Sequence, residues 1–203
     1  MIITLFGYKG GVGKTTSSVH LAAFMAQHAP TVLVDGDFNR SATLWARRDT
    51  LPFPVIPESA IAKHAAKYTH IVIDTAARPS GDELLELAES TDLLILPTNP
   101  ELMSLDAVLQ TSEGLRQVAA AHYRILLTQV PPKPSLDGKA ARAQFQELEI
   151  PLFQGEIRRS SAFARASELG VPVYGVKNNR AAKSAWMDYE AIGREILALQ
   201  AGR

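Results

Sequence analysis

Short apolar runs alternate with longer amphipathic stretches along the 203 residues of the chain. Ile2–Phe6, Thr31–Val34, His70–Ile73, Leu93–Leu96 and Arg124–Thr128 are rich in Ile, Val and Leu and lack strict polar alternation. Strands covered by helices on both faces of a parallel sheet have this composition. Between the runs, Thr15–Gln27, Gly81–Glu89, Leu102–Ala120 and Gly138–Leu148 read as helices. The alternation predicts right-handed βαβ units and an α/β fold, a doubly wound, mostly parallel sheet flanked by helices. Leu51–Pro57 holds three prolines in seven residues, which predicts a surface connection with a short edge strand at Pro54–Ile56. Val130–Pro134 is expected to be a rigid loop after a strand. Trp186, Tyr189, Ile192, Ile196 and Leu199 recur at helical spacing in Lys183–Leu199, the stripe of a core-packed helix. With no internal repeat or low-complexity tract, residues 1–203 read as a single domain.

Composition narrows the function classes. Hydrophobic residues make up 46% and charged residues 21%, which excludes a disordered chain. The absence of Cys excludes disulfides, thiolate metal sites and a Cys nucleophile, and is compatible with a reducing cytoplasm. The five histidines are scattered without metal-ligand spacing and read as structural. The N-terminal run lacks a basic n-region, so it reads as a strand rather than a signal peptide. Lys+Arg and Asp+Glu both number 21, which excludes a uniformly basic protein but not a local patch.

The strongest chemical signal is Gly7-Tyr8-Lys9-Gly10-Gly11-Val12-Gly13-Lys14-Thr15-Thr16, between the first strand and the first helix. Backbone N–H groups can wrap a β-phosphate only where no Cβ obstructs them, and Gly10, Gly11 and Gly13 allow that approach. The following helix points its positive end at the same phosphates. Lys14 supplies a point charge for the β/γ oxygens, and the Thr15 hydroxyl can ligate Mg²⁺. The bland alternative, a glycine turn that precedes a helix, does not require this lysine and hydroxyl spacing. Ile71-Val72-Ile73-Asp74 is an apolar strand ending in a carboxylate, a Walker B candidate that could hold Mg²⁺ directly or through water. Asp35 and Asp37 end the second apolar run, where side chains point into the ligand crevice of a parallel sheet. Either of them could instead cap a helix beginning near Ser41.

Lys9-Gly10-Gly11-x-x-Lys14-Thr15 departs from the ordinary Walker A pattern at Tyr8 and by its additional Lys9. It resembles the deviant Walker A motif of the ParA/MinD family of P-loop ATPases, and the resemblance extends from Met1 to about Val176. It implies a Mg²⁺-dependent ATPase in which ATP is sandwiched between two subunits. Lys9 would then act across the homodimer, Lys14 in cis, Asp37 on the attacking water and Asp35 in the magnesium environment. Val12 and Thr16 belong to the same nucleotide-binding segment. Leu126–Pro131 lies where relatives place adenine contacts, which puts Gln129 and Pro131 among the cofactor-binding candidates. Leu96-Pro97-Thr98-Asn99-Pro100 resembles a family segment that lines the nucleotide, and Ile157–Val173 resembles the segment before the family's last helix. Phe38-Asn39 stands where relatives often carry Pro-Gln, and Asp74-Thr75-Ala76-Ala77-Arg78-Pro79 delays the proline that follows the family's Walker B carboxylate.

Charge is unevenly spread. Between Gly81 and Leu115 stand Asp82, Glu83, Glu86, Glu89, Asp92, Glu101, Asp106 and Glu113, with no Lys or Arg. Between Gly155 and Lys183 stand Arg158, Arg159, Arg165, Lys177, Arg180 and Lys183, against Glu156 and Glu168. An ordinary solvated surface would explain both runs. The family resemblance implies non-specific DNA binding late in the chain, with Arg158, Lys177, Arg180 and Lys183 as candidates. It further implies a ParB-like or other cargo-adaptor partner, a cytoplasmic, nucleoid-associated location, and a short form without an N-terminal DNA-reading domain. The cargo would be a plasmid, a chromosome region or a protein organelle such as the carboxysome. A MinD-like membrane-associated ATPase is the first alternative, but the tail from Ile196 is short and poor in cations, which argues for no membrane contact. A P-loop metabolic ligase is the second.

Overall fold

The computed structural model describes residues 1–7, 9–76, 86–100, 109–110 and 123–201. Six strands form one sheet: β1 (Ile2–Leu5), β2 (Thr31–Gly36), β3 (Val55–Pro57), β4 (His70–Thr75), β5 (Leu93–Thr98) and β6 (Tyr123–Leu127). Their order is β3-β2-β4-β1-β5-β6, and every pairing is parallel. All five expected strands are present, and the proline-rich edge strand forms one residue later than expected. It pairs with β2 from Leu33–Val55 to Asp35–Pro57. An edge place suits it, because proline has no N–H for a further neighbour.

Six helices are defined among the described residues: α1 (Lys14–Met25), α2 (Ser41–Trp45), α3 (Ile61–His64), α4 (Asp137–Glu147), α5 (Ala162–Leu169) and α6 (Arg180–Ala201). The helix expected over Gly81–Glu89 is described only at residues 86–89, which are helical, and that over Leu102–Ala120 only at 109–110. The rest of both lies outside the described residues, as do Asp82, Glu83, Glu101, Asp106 and Glu113, together with Tyr8 and the Ala77-Arg78-Pro79 segment.

Three apolar clusters cover the sheet among the described residues. One joins Ile3, Leu5, Leu33 and Val72 to α1, α5 and α6, a second joins Phe6, Leu94, Leu96 and Ile125 to Ala141 and Phe145 of α4, and a third joins Val32, Val34 and Ile71 to Ile61 of α3. Of the late-helix stripe, Trp186, Tyr189, Ile192 and Ile196 are buried, and Leu199 packs partly buried against the same core. The contact is close: a Cβ at Gly193 would collide with the Phe24 ring of α1. Strand order places the C-terminal ends of β4, β1 and β5 side by side. The loop between β1 and α1 therefore opens between the carboxylate-bearing ends of β4 and β2 on one side and the ends of β5 and β6 on the other.

Candidate nucleotide site

Gly13 is the N-cap of α1, with φ 85, and Gly11 has φ 78. Left-handed backbone at both positions is what glycine provides cheaply, and it bends the loop around the helix start. No side chain caps α1, so its first N–H groups are open to an anion. Lys14 is only 8% exposed and lies back along the loop, close to Gly7. A cavity of about 490 Å³ opens over this loop. Lys9, Gly10, Gly11, Gly13, Lys14, Thr15 and Thr16 line one side, and Asp37, Phe38, Asn39 and Ser41 come from the β2–α2 connection. The structure thus brings the phosphate-loop residues and Asp37 of the sequence reading to one cavity. Val12 is buried and contributes backbone rather than side chain.

The three carboxylates part company. Asp74 is fully buried, and its Oδ1 lies 3.0 Å from the Ser18 hydroxyl. Thr15 and Lys14 also lie close enough to favour its charged form, but burial dominates and pushes its pKa up. Its Oδ2 is buried with no hydrogen-bond partner at ordinary distance among the described residues. A buried oxygen without a partner, next to the hydroxyl that follows the loop lysine, is the donor arrangement a hard divalent cation or its water shell would satisfy.

Asp35 is equally buried and sits in register with Asp74 across the β2–β4 ladder. Its oxygens are engaged within the protein. Oδ2 accepts the Thr43 N–H at 2.8 Å and the Thr43 hydroxyl, and Oδ1 accepts the Asp37 N–H at 3.2 Å. Thr43 is the third residue of α2, so Asp35 performs the capping alternative, across a loop. Both of its oxygens are thus engaged by Thr43 and the Asp37 N–H beside the Asp74 strand end. Asp37 lies at the cavity, and its Oδ1 accepts the N–H and the side-chain amide of Asn39 at 3.0 and 3.2 Å. No hydrogen bond among the described residues reaches its Oδ2. Phe38, beside it, is 93% exposed on the cavity rim.

A second cavity of about 190 Å³ adjoins the first through Gly13, Thr16 and Gln129. Its walls are Thr128, Ile157–Ser160, Phe163 and Tyr189. The 157–159 segment is tied to the end of β6 by the Val130 N–H to Ile157 carbonyl bond at 3.0 Å and the Arg159 N–H to Val130 carbonyl bond at 2.8 Å. Its aromatic floor and position next to Thr16 suit a base. Gln129 lines both cavities, but its amide donates to the Gly11 carbonyl. Pro131 lines neither cavity. Thr98 and Asn99 are buried behind the loop, where the Thr98 carbonyl accepts the Thr128 N–H at 2.7 Å.

The late basic residues also divide. Arg158 is held by Asp188, Nε to Oδ2 and Nη2 to Oδ1, each at 2.7 Å. Such a bidentate pair neutralises the guanidinium and removes it from the free cations. Lys177, Arg180 and Lys183 are exposed, without an ion pair among the described residues. They cluster at the start of α6, where Asn179 Oδ1 accepts the Ala182 N–H at 3.1 Å and no acid stands in the first turn. Cations at a helix N-terminus oppose its dipole, so this placement favours an external anion.

The sequence reading missed Ser18, Thr43 and Thr128. Only Thr128, a hydroxyl ending an apolar strand, had a local signal.

Residues 3–173 match the family model described as the CobQ/CobB/MinD/ParA nucleotide binding domain. The "Maintenance of carboxysome distribution protein A" of Gloeobacter kilaueensis is 30% identical over 202 residues, covering 96% of this chain and 93% of that protein. Among solved structures, MinD of Aquifex aeolicus superposes with a TM-score of 0.74 at 17% identity, over 97% of each chain. A Cyanothece McdA variant in complex with ATP superposes with a TM-score of 0.72 at 15% identity, over 95% of this chain and 96% of that one. The chain belongs to the family of that nucleotide-binding domain.

Proposed function

We propose, from this family membership, that the chain is a ParA-type ATPase: ATP and Mg²⁺ bind at the β1–α1 loop and promote a sandwich homodimer. The observation that carries the reading is the convergence of Lys9, Lys14, Thr15 and Asp37 on one cavity, with Thr15 also beside the buried Asp74 carboxylate. In each subunit the loop N–H groups and Lys14 hold the β- and γ-phosphates. Thr15 and, through water, Asp74 hold Mg²⁺, which neutralises charge on the phosphate oxygens when bound. Asp37 orients the attacking water with its Oδ2 while Asn39 fixes Oδ1. Lys9 of one subunit adds a second cation at the other's γ-phosphate, as an arginine finger would. The base lies in the adjoining cavity.

In the dimer, Lys177, Arg180 and Lys183 of two subunits form one patch for DNA phosphates, with binding weak per monomer and stronger per dimer. Arg158 serves that surface by fixing Asp188 rather than by touching DNA. A ParB-like or other cargo adaptor stimulates hydrolysis and releases the dimer from the nucleoid. The name of the Gloeobacter relative points to the carboxysome as cargo. DNA binding measured with ATP, with ADP and without nucleotide across a salt series tests this reading. Binding should need ATP and weaken steeply with salt; binding indifferent to both would overturn it.

A further inference from the structure

Two side chains at the end of β6 grip consecutive peptides of the phosphate loop. The Thr128 hydroxyl lies 2.7 Å from the Val12 carbonyl and 3.0 Å from the Thr98 carbonyl, so the loop oxygen is its nearer acceptor. The Gln129 side-chain amide donates to the Gly11 carbonyl. A trans peptide directs its N–H opposite to its C=O. The Gly11 carbonyl shares a peptide with the Val12 N–H, and the Val12 carbonyl shares one with the Gly13 N–H. Both carbonyls are drawn towards β6, so both N–H groups face the other way, towards the side of the sheet where β2 delivers Asp37 to the cavity. Thr128 is 2% exposed, and Gln129 takes a left-handed backbone, φ 53, which a residue with a Cβ adopts at a cost.

We infer that Thr128 and Gln129 are positioning residues of the phosphate site: they preset the Val12 and Gly13 N–H groups as phosphate donors before nucleotide arrives. Gln129 thus acts on the phosphates through Gly11 and does not read the base. Preorganised N–H donors need no rotation on binding, so their benefit is common to every nucleotide with a β-phosphate and independent of the base. The inference rests on the nucleotide reading above.

The test is equilibrium binding of ATP, ADP and GTP to the full chain and to Thr128→Val, Thr128→Ser, Gln129→Ala and Gln129→Glu, each checked for native thermal unfolding. Val keeps the shape of Thr without its hydroxyl, and Ser restores the hydroxyl. Thr128→Val and Gln129→Ala should each weaken ATP, ADP and GTP alike by about three- to tenfold, the worth of one hydrogen bond. Thr128→Ser should bind like the parent. Gln129→Glu, an acceptor facing a carbonyl, should bind no better than Gln129→Ala. The ATP-to-GTP affinity ratio should be the same in all five proteins. A Gln129→Ala protein in which that ratio alone changes would make Gln129 a base reader and overturn the inference. So would Thr128→Val binding all three like the parent, or Thr128→Ser failing to recover. A parent that binds none of the nucleotides would overturn the nucleotide reading itself, and the clamp with it.

Discussion

The C-terminal ends of β2 and β4 lie side by side, with Asp35 opposite Asp74 in the ladder and both carboxylates withdrawn from solvent. At the end of β2, Thr43 and the Asp37 N–H satisfy the carboxylate, and the acid holds a loop and a helix start together. At the end of β4, Ser18 reaches one oxygen, and the other has no hydrogen-bond partner at ordinary distance among the described residues. The neighbours of a buried charge, more than its strand or its burial, decide whether it builds the fold or awaits a ligand. A buried polar atom left incomplete costs stability, and such a cost is tolerated where function uses it.

Lys14→Ala breaks the β4 side most severely. It removes the cation beside Asp74 that is proposed to hold the β/γ-phosphates, and nucleotide binding by titration should be abolished. Asp35→Ala attacks the other side. It leaves the Thr43 and Asp37 N–H groups unanswered at ~1–3 kcal/mol each, so denaturant unfolding should show a loss of roughly 3–5 kcal/mol. A loss below ~1 kcal/mol would mean that Asp35 is not the structural acid.

A pH profile separates these carboxylates from a third buried group. His20 accepts the Val173 N–H at Nε2 (2.9 Å), and its Nδ1 lies 2.6 Å from the Thr16 carbonyl. It stacks on Tyr189, with ring centroids 4.7 Å apart. Burial lowers its pKa from the ordinary 6.5 to about 4, against the opposing pull of the Thr16 carbonyl. The unfolded chain therefore takes the proton first as pH falls. Stability is complete above about pH 6.5 and should fall by about 3 kcal/mol on the way to pH 4, a slope that His20→Asn should flatten. The smallest expected effect sharpens the comparison furthest. Burial raises the pKa of Asp74, so its charge costs the folded state stability at neutral pH. Asp74→Asn should raise the metal-free melting temperature by about 2–4 °C, the equivalent of ~1 kcal/mol, and should lose the added stabilisation by Mg²⁺ and ATP. Lower melting in both states would make Asp74 a structural acid like Asp35.

Much of this was legible in the sequence, because buried parallel strands and a phosphate loop carry their signals within a few consecutive residues. The strands after Ile2, Thr31, His70, Leu93 and Arg124 and the loop Lys9–Thr16 are local in that sense. Helix α5 escaped because eight residues give a helical period little room to repeat, although Gly170 at φ 71 closes it as a left-handed cap. The division between Asp35 and Asp74 was hidden because both end apolar strands, and Thr43 meets Asp35 only after α2 has turned back. The pairing of Arg158 with Asp188, 30 residues apart, was likewise out of reach of any local signal.

The proposed switch is tested most directly by sedimentation velocity of the Asp37→Ala protein with Mg²⁺ and ATP, alongside ADP and no nucleotide. Without the residue proposed to orient water, ATP should stay bound and hold a stable dimer, while ADP and nucleotide-free samples stay monomeric. A monomer under all three conditions, or ATP hydrolysis at the parental rate, would contradict it.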